Sequence, residues 1–400
     1  MDDFLKRTWL EIDLDAIRGN YQKIRSFVAP EAKVMAVIKA DAYGHGVEYT
    51  AREMSGAGVD WFAVSNLEEA IQVRRAGLDN PLLILGYTPP EYAQQLAVNG
   101  ISQAVFDENY GRQLAACAQR DGVQVRIHVK VDTGMTRIGF PYRDNVEDAG
   151  SVDAIEAVCA LPGLYPEGLF THLSCADEEG DAEVYTRIQY DLFLDIAERL
   201  GRRKVCFELR HCSNSAATVH YPEMHLDLVR PGILFYGMMP SPELSDPLSL
   251  HPAMEMKTVI SQIKEVPAGV PVSYGRTFVT PHAMRLATVP VGYADGYPRA
   301  LSGNAEMLLR GGRVPVVGRI CMDQCMLDVS AVPDALEGDT VTVFGGEITV
   351  DELAARANTI NYEIICGISK RVPRVFLRAG KAEYICLLYT SPSPRDRTRS

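Results

Sequence analysis

The stretch Lys33–Gly46, KVMAVIKADAYGHG, decides how the rest of the chain is read. Val34-Met35-Ala36-Val37-Ile38 is a short continuous apolar run, the pattern of a strand buried on both faces. Lys39 closes the run, and a glycine-bracketed turn, Tyr43-Gly44-His45-Gly46, precedes a helical pattern that begins at Val47. A lysine where a buried strand opens into a loop is poorly hydrated, which favours its neutral amine. Such an amine can attack an aldehyde and hold it as a Schiff base. The competing reading is a lysine that caps the strand and snorkels to water. Taken alone, the stretch leaves both open.

Outward from Lys39, apolar runs alternate with helical patterns to about residue 236. Thr8–Leu14, TWLEIDL, alternates like a half-buried strand, and Asp15 is placed to cap the helix that follows. The later runs are VMAVIK, WFAVS, PLLILGY, ISQAVF, VRIHVKV, LYPEGLFTHL, KVCFEL and LDLVRPGILFYG. About eight such units point to a parallel (β/α)8 barrel of the TIM type, although periodicity alone does not exclude a doubly wound sheet. In a barrel the chemistry sits at the C-terminal strand ends, where Lys39 would lie.

The pattern changes at Met238-Met239-Pro240-Ser241-Pro242. Beyond it, short β-type runs recur with glycine and proline, with one helical stretch at 350–359. We therefore expect a barrel over 1–240 and a mostly β second domain over 241–386. The first strand, about 8–14, could join the second domain. The last residues, LLYTSPSPRDRTRS at 387–400, fit neither pattern and read as a disordered or artefactual tail.

Composition narrows the function. The chain has 400 residues, 47% apolar and 23% charged, as in ordinary globular proteins. A net charge of −12 argues against nucleic-acid and membrane surfaces. No apolar run nears the length of a membrane span, and the N-terminus has no signal core. Nine scattered cysteines, an odd number without framework spacing, suggest reduced thiols in a cytoplasmic protein. Cys175 with Asp177, and Cys321 with Cys325, match no zinc pattern, so no metal is expected.

AVIKADAYGHG resembles the cofactor-lysine motif of the alanine racemases, and matching motifs run from TWLEIDL to RVPRVFLR. The resemblance implies a (β/α)8 barrel, a β-rich second domain, and a homodimer with shared active sites. It implies an isomerase that interconverts L- and D-alanine through a pyridoxal-phosphate aldimine with two bases, supplying D-alanine for peptidoglycan. By resemblance, Lys39 is the Schiff-base lysine and first base. Tyr274, in PVSYGRTFV, is the second base and comes from the partner subunit. Tyrosine normally titrates near pH ~10, so this role needs a cationic environment.

Tyr43, Ser215 of HCSNSAAT, Gly232 and Ile233 of VRPGILFYG, and Tyr362 of INYEIICG match the residues that hold the phosphate of pyridoxal 5'-phosphate. Without the resemblance, Ser215 reads equally well as a helix N-cap. His172, in LFTHLSCADE, matches the ring-packing histidine, and Arg230 matches the partner of the pyridine nitrogen. Arginine has no acceptor and can only donate there, which leaves that nitrogen unprotonated and the ring a weaker electron sink.

Arg137, in DTGMTRIGF, matches the arginine that meets the substrate carboxylate, a contact its planar fork suits. Lys130 matches a lysine that is carbamylated in some members and then orients this arginine. Met322 and Asp323 of GRICMDQC would lie near the substrate carboxylate, and Tyr293 of VGYADGYP would line the entrance. Thr136 departs from the family pattern, standing where many relatives have glycine. Two other readings remain. One is a serine or broad-specificity racemase; the other is a pyridoxal-phosphate carrier protein without activity, which the second domain and Tyr274 disfavour.

Overall fold

The computed structural model describes residues 6–143 and 149–386. The tail expected at 387–400 lies outside them. Two compact units emerge, each interrupted in sequence.

One unit comprises the described residues of Ile17–Ala42 and Val47–His251. Eight parallel strands run in the order Leu228–Val229, Lys33–Val37, Trp61–Val64, Leu82–Ile84, Ile101–Val105, Val125–Asp132, Leu164–Phe170 and Leu209–His211. The two end strands are joined by backbone bonds from Asp227 N to Arg210 O at 3.2 Å and from Arg230 N to Ser213 O at 3.0 Å, which nearly closes the barrel. Trp61–Val64 and Ile101–Val105 are buried at every position, as strands packed on both faces must be. Two of the intervening helices start on side-chain caps: Asn66 accepts from Glu69 N at 2.9 Å, and Asp107 from Tyr110 N at 2.7 Å.

Two local expectations are corrected. The helix Leu14–Phe27 is capped by Asp13, whose carboxylate accepts from Ala16 N at 3.0 Å, while Asp15 accepts from Ala379 N at 2.6 Å. The run KVCFEL is not a strand through its length. The strand here is Leu209–His211, because the positive φ of 63° at Lys204 belongs to the turn that ends the preceding helix.

The other unit comprises the described residues of Met1–Ala16, Tyr43–Gly46 and Pro252–Ser400. Its ten-stranded sheet places Thr8–Asp13 between Met254–Val259, antiparallel, and Arg374–Arg378, parallel. Met254–Val259 alternates buried and half-buried residues, the signature of a sheet with one face packed. Helices Val350–Ala357 and Asn361–Cys366 complete the unit. Among the described residues, no helix is long and apolar enough to cross a membrane.

Candidate active site

Lys39 stands immediately beyond the buried strand Lys33–Val37, at its C-terminal end. The next four residues, Ala40, Asp41, Ala42 and Tyr43, hold φ of 52°, 56°, 54° and 53°, a turn of left-handed helix without glycine. L-residues resist this conformation because Cβ crowds the following carbonyl. The turn is tied by Ala40 N to Glu69 Oε1 and by Asp41 Oδ1, which caps the next helix at Val47 N, both at 2.8 Å. Gly44 then has no room for a side chain: a Cβ would lie 2.2 Å from the Ile365 carbonyl oxygen.

The same barrel carries a buried chain of hydrogen bonds that runs from two strand ends, at Arg230 and His211, to the middle of two other strands, at His128 and Glu167. Arg230 Nη1 donates to His211 Nδ1 at 2.8 Å, and its Nη2 donates to the carbonyls of Thr171 (2.8 Å) and Cys212 (3.0 Å). His211 Nε2 meets His128 Nδ1 at 2.8 Å, and His128 Nε2 meets Glu167 Oε2 at 3.2 Å. The direction of the chain follows from its ends. Arginine can only donate and an ionised carboxylate can only accept, so each imidazole is neutral, accepting on Nδ1 and donating from Nε2. Glu167 also accepts from Ser102 Oγ at 2.5 Å.

Burial, then the Arg230 charge, pushes His211 well below the ordinary histidine pKa. Burial likewise lowers His128. Burial opposes ionisation of Glu167, but the bonds from His128 and Ser102 hold its carboxyl below the usual range. Arg230 is pushed down to about 10 by burial and remains a cation at neutral pH.

Lys130 and Arg230 both lie against the Phe170 ring. Lys130 Nζ lies 4.8 Å from the centre of the Phe170 ring and the Arg230 guanidinium 5.6 Å from it. Lys130 is buried, and its Nζ has no hydrogen-bond partner among the described residues. Burial, followed by the charges of Arg230 and Arg137, drives its pKa well down, so the neutral amine is favoured. His172 lies 3.5 Å from Arg230 Nη2; burial and the charges of Lys130, Arg230, Arg137 and Lys39 push it well below the histidine range. Arg137 follows a loop pinned by Asp132, whose Oδ1 accepts from Gly134 N at 3.0 Å and Thr136 N at 2.9 Å. Thr136 takes φ of 55°, a conformation that glycine adopts without penalty.

Ser215 is the first residue of the short helix Ser215–His220, and Asn214, not Ser215, is the cap. Ser215 Oγ instead accepts from Gly232 N at 2.9 Å. Its own proton is left to donate to a further acceptor. Ile233 opens the 3-10 turn Ile233–Tyr236, where the first amides lie outside the helical bonds. Hydroxyl, free-ended amides and a buried guanidinium form a donor set suited to an anion and to an acceptor nitrogen.

The remaining residues belong to the β-rich unit. Tyr43 and Tyr362 face each other with ring centres 5.9 Å apart. Tyr274 is 69% exposed, Met322 53% and Tyr293 42%. Their loops are strapped together: Ser273 Oγ donates to Arg319 O at 2.6 Å, Tyr293 N to Cys321 O at 3.1 Å, and Ala294 N to Met322 O at 3.0 Å. Gly292 permits this approach, because a Cβ there would lie 2.4 Å from the carbonyl oxygens of both Cys321 and Met322. Asp323 pairs with Arg371 Nη2 at 2.7 Å.

Sequence reasoning missed His128, His211, Glu167 and Asp295. Each lies within or beside a quoted motif, and a polar residue inside an apolar run such as VRIHVKV is the signal that could have found the first.

Residues 12–240 match the family model described as alanine racemase, N-terminal domain, and residues 253–376 the one described as alanine racemase, C-terminal domain. An alanine racemase of Desulforamulus reducens is 45% identical over 92% of this chain and 98% of its own length. A solved alanine racemase of Clostridium difficile superposes with a TM-score of 0.91 at 38% identity, covering 96% of this chain and 99% of that one. The Bacillus anthracis alanine racemase with bound L-Ala-P gives a TM-score of 0.88 at 38% identity, over 96% and 98% of the two chains.

Proposed function

This chain belongs to the alanine racemase family, and on that premise we propose that it interconverts L- and D-alanine with pyridoxal 5'-phosphate as cofactor. The observation that carries the reading is the buried, donor-only guanidinium of Arg230 in the same barrel as a strand-end lysine, Lys39. The donor set supports the cofactor. Ser215 has a hydroxyl proton to give, Gly232 and Ile233 supply backbone at a helix start, and Tyr43 and Tyr362 add phenols for the phosphate. Arg230 suits the ring nitrogen, His172 packs on the ring, and Lys39 holds the aldehyde carbon. When bound, the cofactor supplies a conjugated system that acidifies the α-proton of alanine.

The chain's own residues then divide the work. Arg137 and the Met322 amide, with Asp323 nearby, hold the substrate carboxylate. Lys39 Nζ takes or returns the α-proton on one face, and Tyr274 Oη does so on the other. Tyr293 lines the entrance. The lowered pKa of Lys130 supports carbamylation: the neutral amine adds to carbon dioxide, an N–C bond forms, and a proton leaves for solvent. The resulting anion would sit among cations and orient Arg137. The active unit is a cytoplasmic homodimer in which Tyr274 serves the partner's site. The exposure of Tyr274, Tyr293 and Met322 on adjoining loops supports a second copy covering them. Its D-alanine would serve peptidoglycan.

The test is exchange of substrate α-protons for deuterium, with chiral analysis over a panel of amino acids. Alanine should exchange and racemise well ahead of serine and larger residues. Exchange with no inversion, or a stronger response to another amino acid, overturns the assignment.

A further inference from the structure

In the β-rich unit, Asp295 is fully buried and lies between three segments far apart in sequence. Its carboxylate accepts from Arg7 through both terminal nitrogens, from Arg371 Nε at 2.8 Å and from Gly292 N at 3.0 Å. Its backbone carbonyl accepts from Ser369 N at 3.0 Å. Arg371 faces two ways: Nε binds Asp295 and Nη2 binds Asp323 at 2.7 Å. The Tyr293–Ala294 amides bond to the carbonyls of Cys321 and Met322, which ties the 292–295 loop to the 321–323 segment. A buried carboxylate with two guanidiniums and a backbone donor is expensive to desolvate and is rigid once satisfied. It stands beneath side chains that are themselves exposed, Tyr293 and Met322, where packing could not fix their position.

We infer that Asp295 is a positioning residue: through Arg371 and Gly292 it sets where the 321–323 segment, with Asp323 held on Arg371, presents the Met322 amide to the substrate carboxylate. This rests on the reading above that those residues meet the carboxylate. Loss of such an aligned contact removes binding common to ground and transition states, which raises KM while kcat holds.

The experiment compares wild type with Asp295→Asn, Arg371→Gln and Arg371→Lys. It measures kcat and KM for both alanine enantiomers, the inhibition constant of propionate, and the melting temperature. Propionate carries the carboxylate and methyl group of alanine but no amine, so it reports carboxylate recognition apart from chemistry. Arg371→Gln leaves Arg7 and Gly292 on Asp295, which keeps the test alive should Asp295→Asn fail to fold. The expected result is a rise of about tenfold in KM and in the propionate constant for Arg371→Gln, with kcat changed less than about threefold. Arg371→Lys should fall between, because one ammonium lacks the two-sided fork. A lowered melting temperature with unchanged KM and propionate constant overturns the inference and leaves Asp295 a structural residue. Wild-type protein that does not racemise alanine removes the premise instead, and that result is read before any variant.

Discussion

In the barrel, the buried guanidinium of Arg230 is held by neutral groups; in the β-rich unit, a buried anion, Asp295, is held by cations. Arg230 is anchored by His211 and two carbonyls, with the balancing carboxylate, Glu167, placed two imidazoles away. Asp295 is met directly by Arg7 and Arg371. The difference follows from what each region must present. Arg230 keeps its charge unneutralised only if no carboxylate touches it, so its direct support is uncharged. The β-rich unit presents exposed side chains on loops, and a dense ion-pair knot below them supplies the stiffness that packing cannot.

The largest effect expected breaks the barrel side. Lys39→Ala should lower racemisation by roughly a thousandfold or more, since it removes both the covalent anchor and one base. The loss should appear together with the loss of the lysine-linked cofactor absorbance. Full activity in the variant without added amine would unseat Lys39.

Next, the two regions can be made to complement each other. Lys39→Ala and Tyr274→Phe should each be inactive alone. Tyr274→Phe should keep its melting temperature, because it removes a single hydroxyl and leaves the ring in place. Mixed and fully exchanged, the two should recover about a quarter of wild-type activity, half the dimers being mixed with one intact site each. Exchange shown by mass with no recovered activity would end the shared-site model.

A smaller effect sharpens the contrast through pH. His128, His172 and His211 have folded-state pKa values below their unfolded ones, so the unfolded chain binds more protons. Their stabilising contribution is complete above about pH 6.5 and drains as pH falls below it. Glu167 adds stability above its unfolded value near pH ~4.3, lost as pH falls through its lower folded pKa. Denaturation midpoints should therefore decline from about pH 6.5 downward. His211→Asn should make that decline shallower, and Glu167→Gln should cost about 2 kcal/mol at pH 7 and less in acid. An unchanged slope in His211→Asn would mean that His211 is not held neutral.

The smallest effect concerns Thr136. Thr136→Gly relieves the left-handed strain but loses the bond from Arg143 Nη2 to Thr136 Oγ1, 3.1 Å long. Stability should change by less than about 1 kcal/mol. A larger loss would show that the threonine hydroxyl anchors the Arg137 loop.

How much of this was legible beforehand depended on range. The place of Lys39 after a buried strand was legible because a strand and its end are local, and eight apolar runs were enough for the barrel. The cap on the first helix was misjudged by two residues, since Asp13 and Asp15 are equally good caps in sequence. The chain from Arg230 to Glu167 joins residues on or beside four strands, and the knot at Asp295 joins residues 7, 295 and 371. Nothing in the local pattern announces either. Ser215 had two local readings, and the neighbouring Asn214 took the capping role.

The left-handed turn after Lys39 has a thermal consequence. At about 1–2 kcal/mol per residue, four such residues store an amount comparable to much of a domain's net stability. Glycine at Ala40 or Ala42 would release part of that store and should let the chain survive a hotter bath. It would also loosen the turn that follows the lysine. Heat tolerance and accurate aim are thus opposed in a single pentapeptide, and selection for one at these positions will be visible as loss of the other.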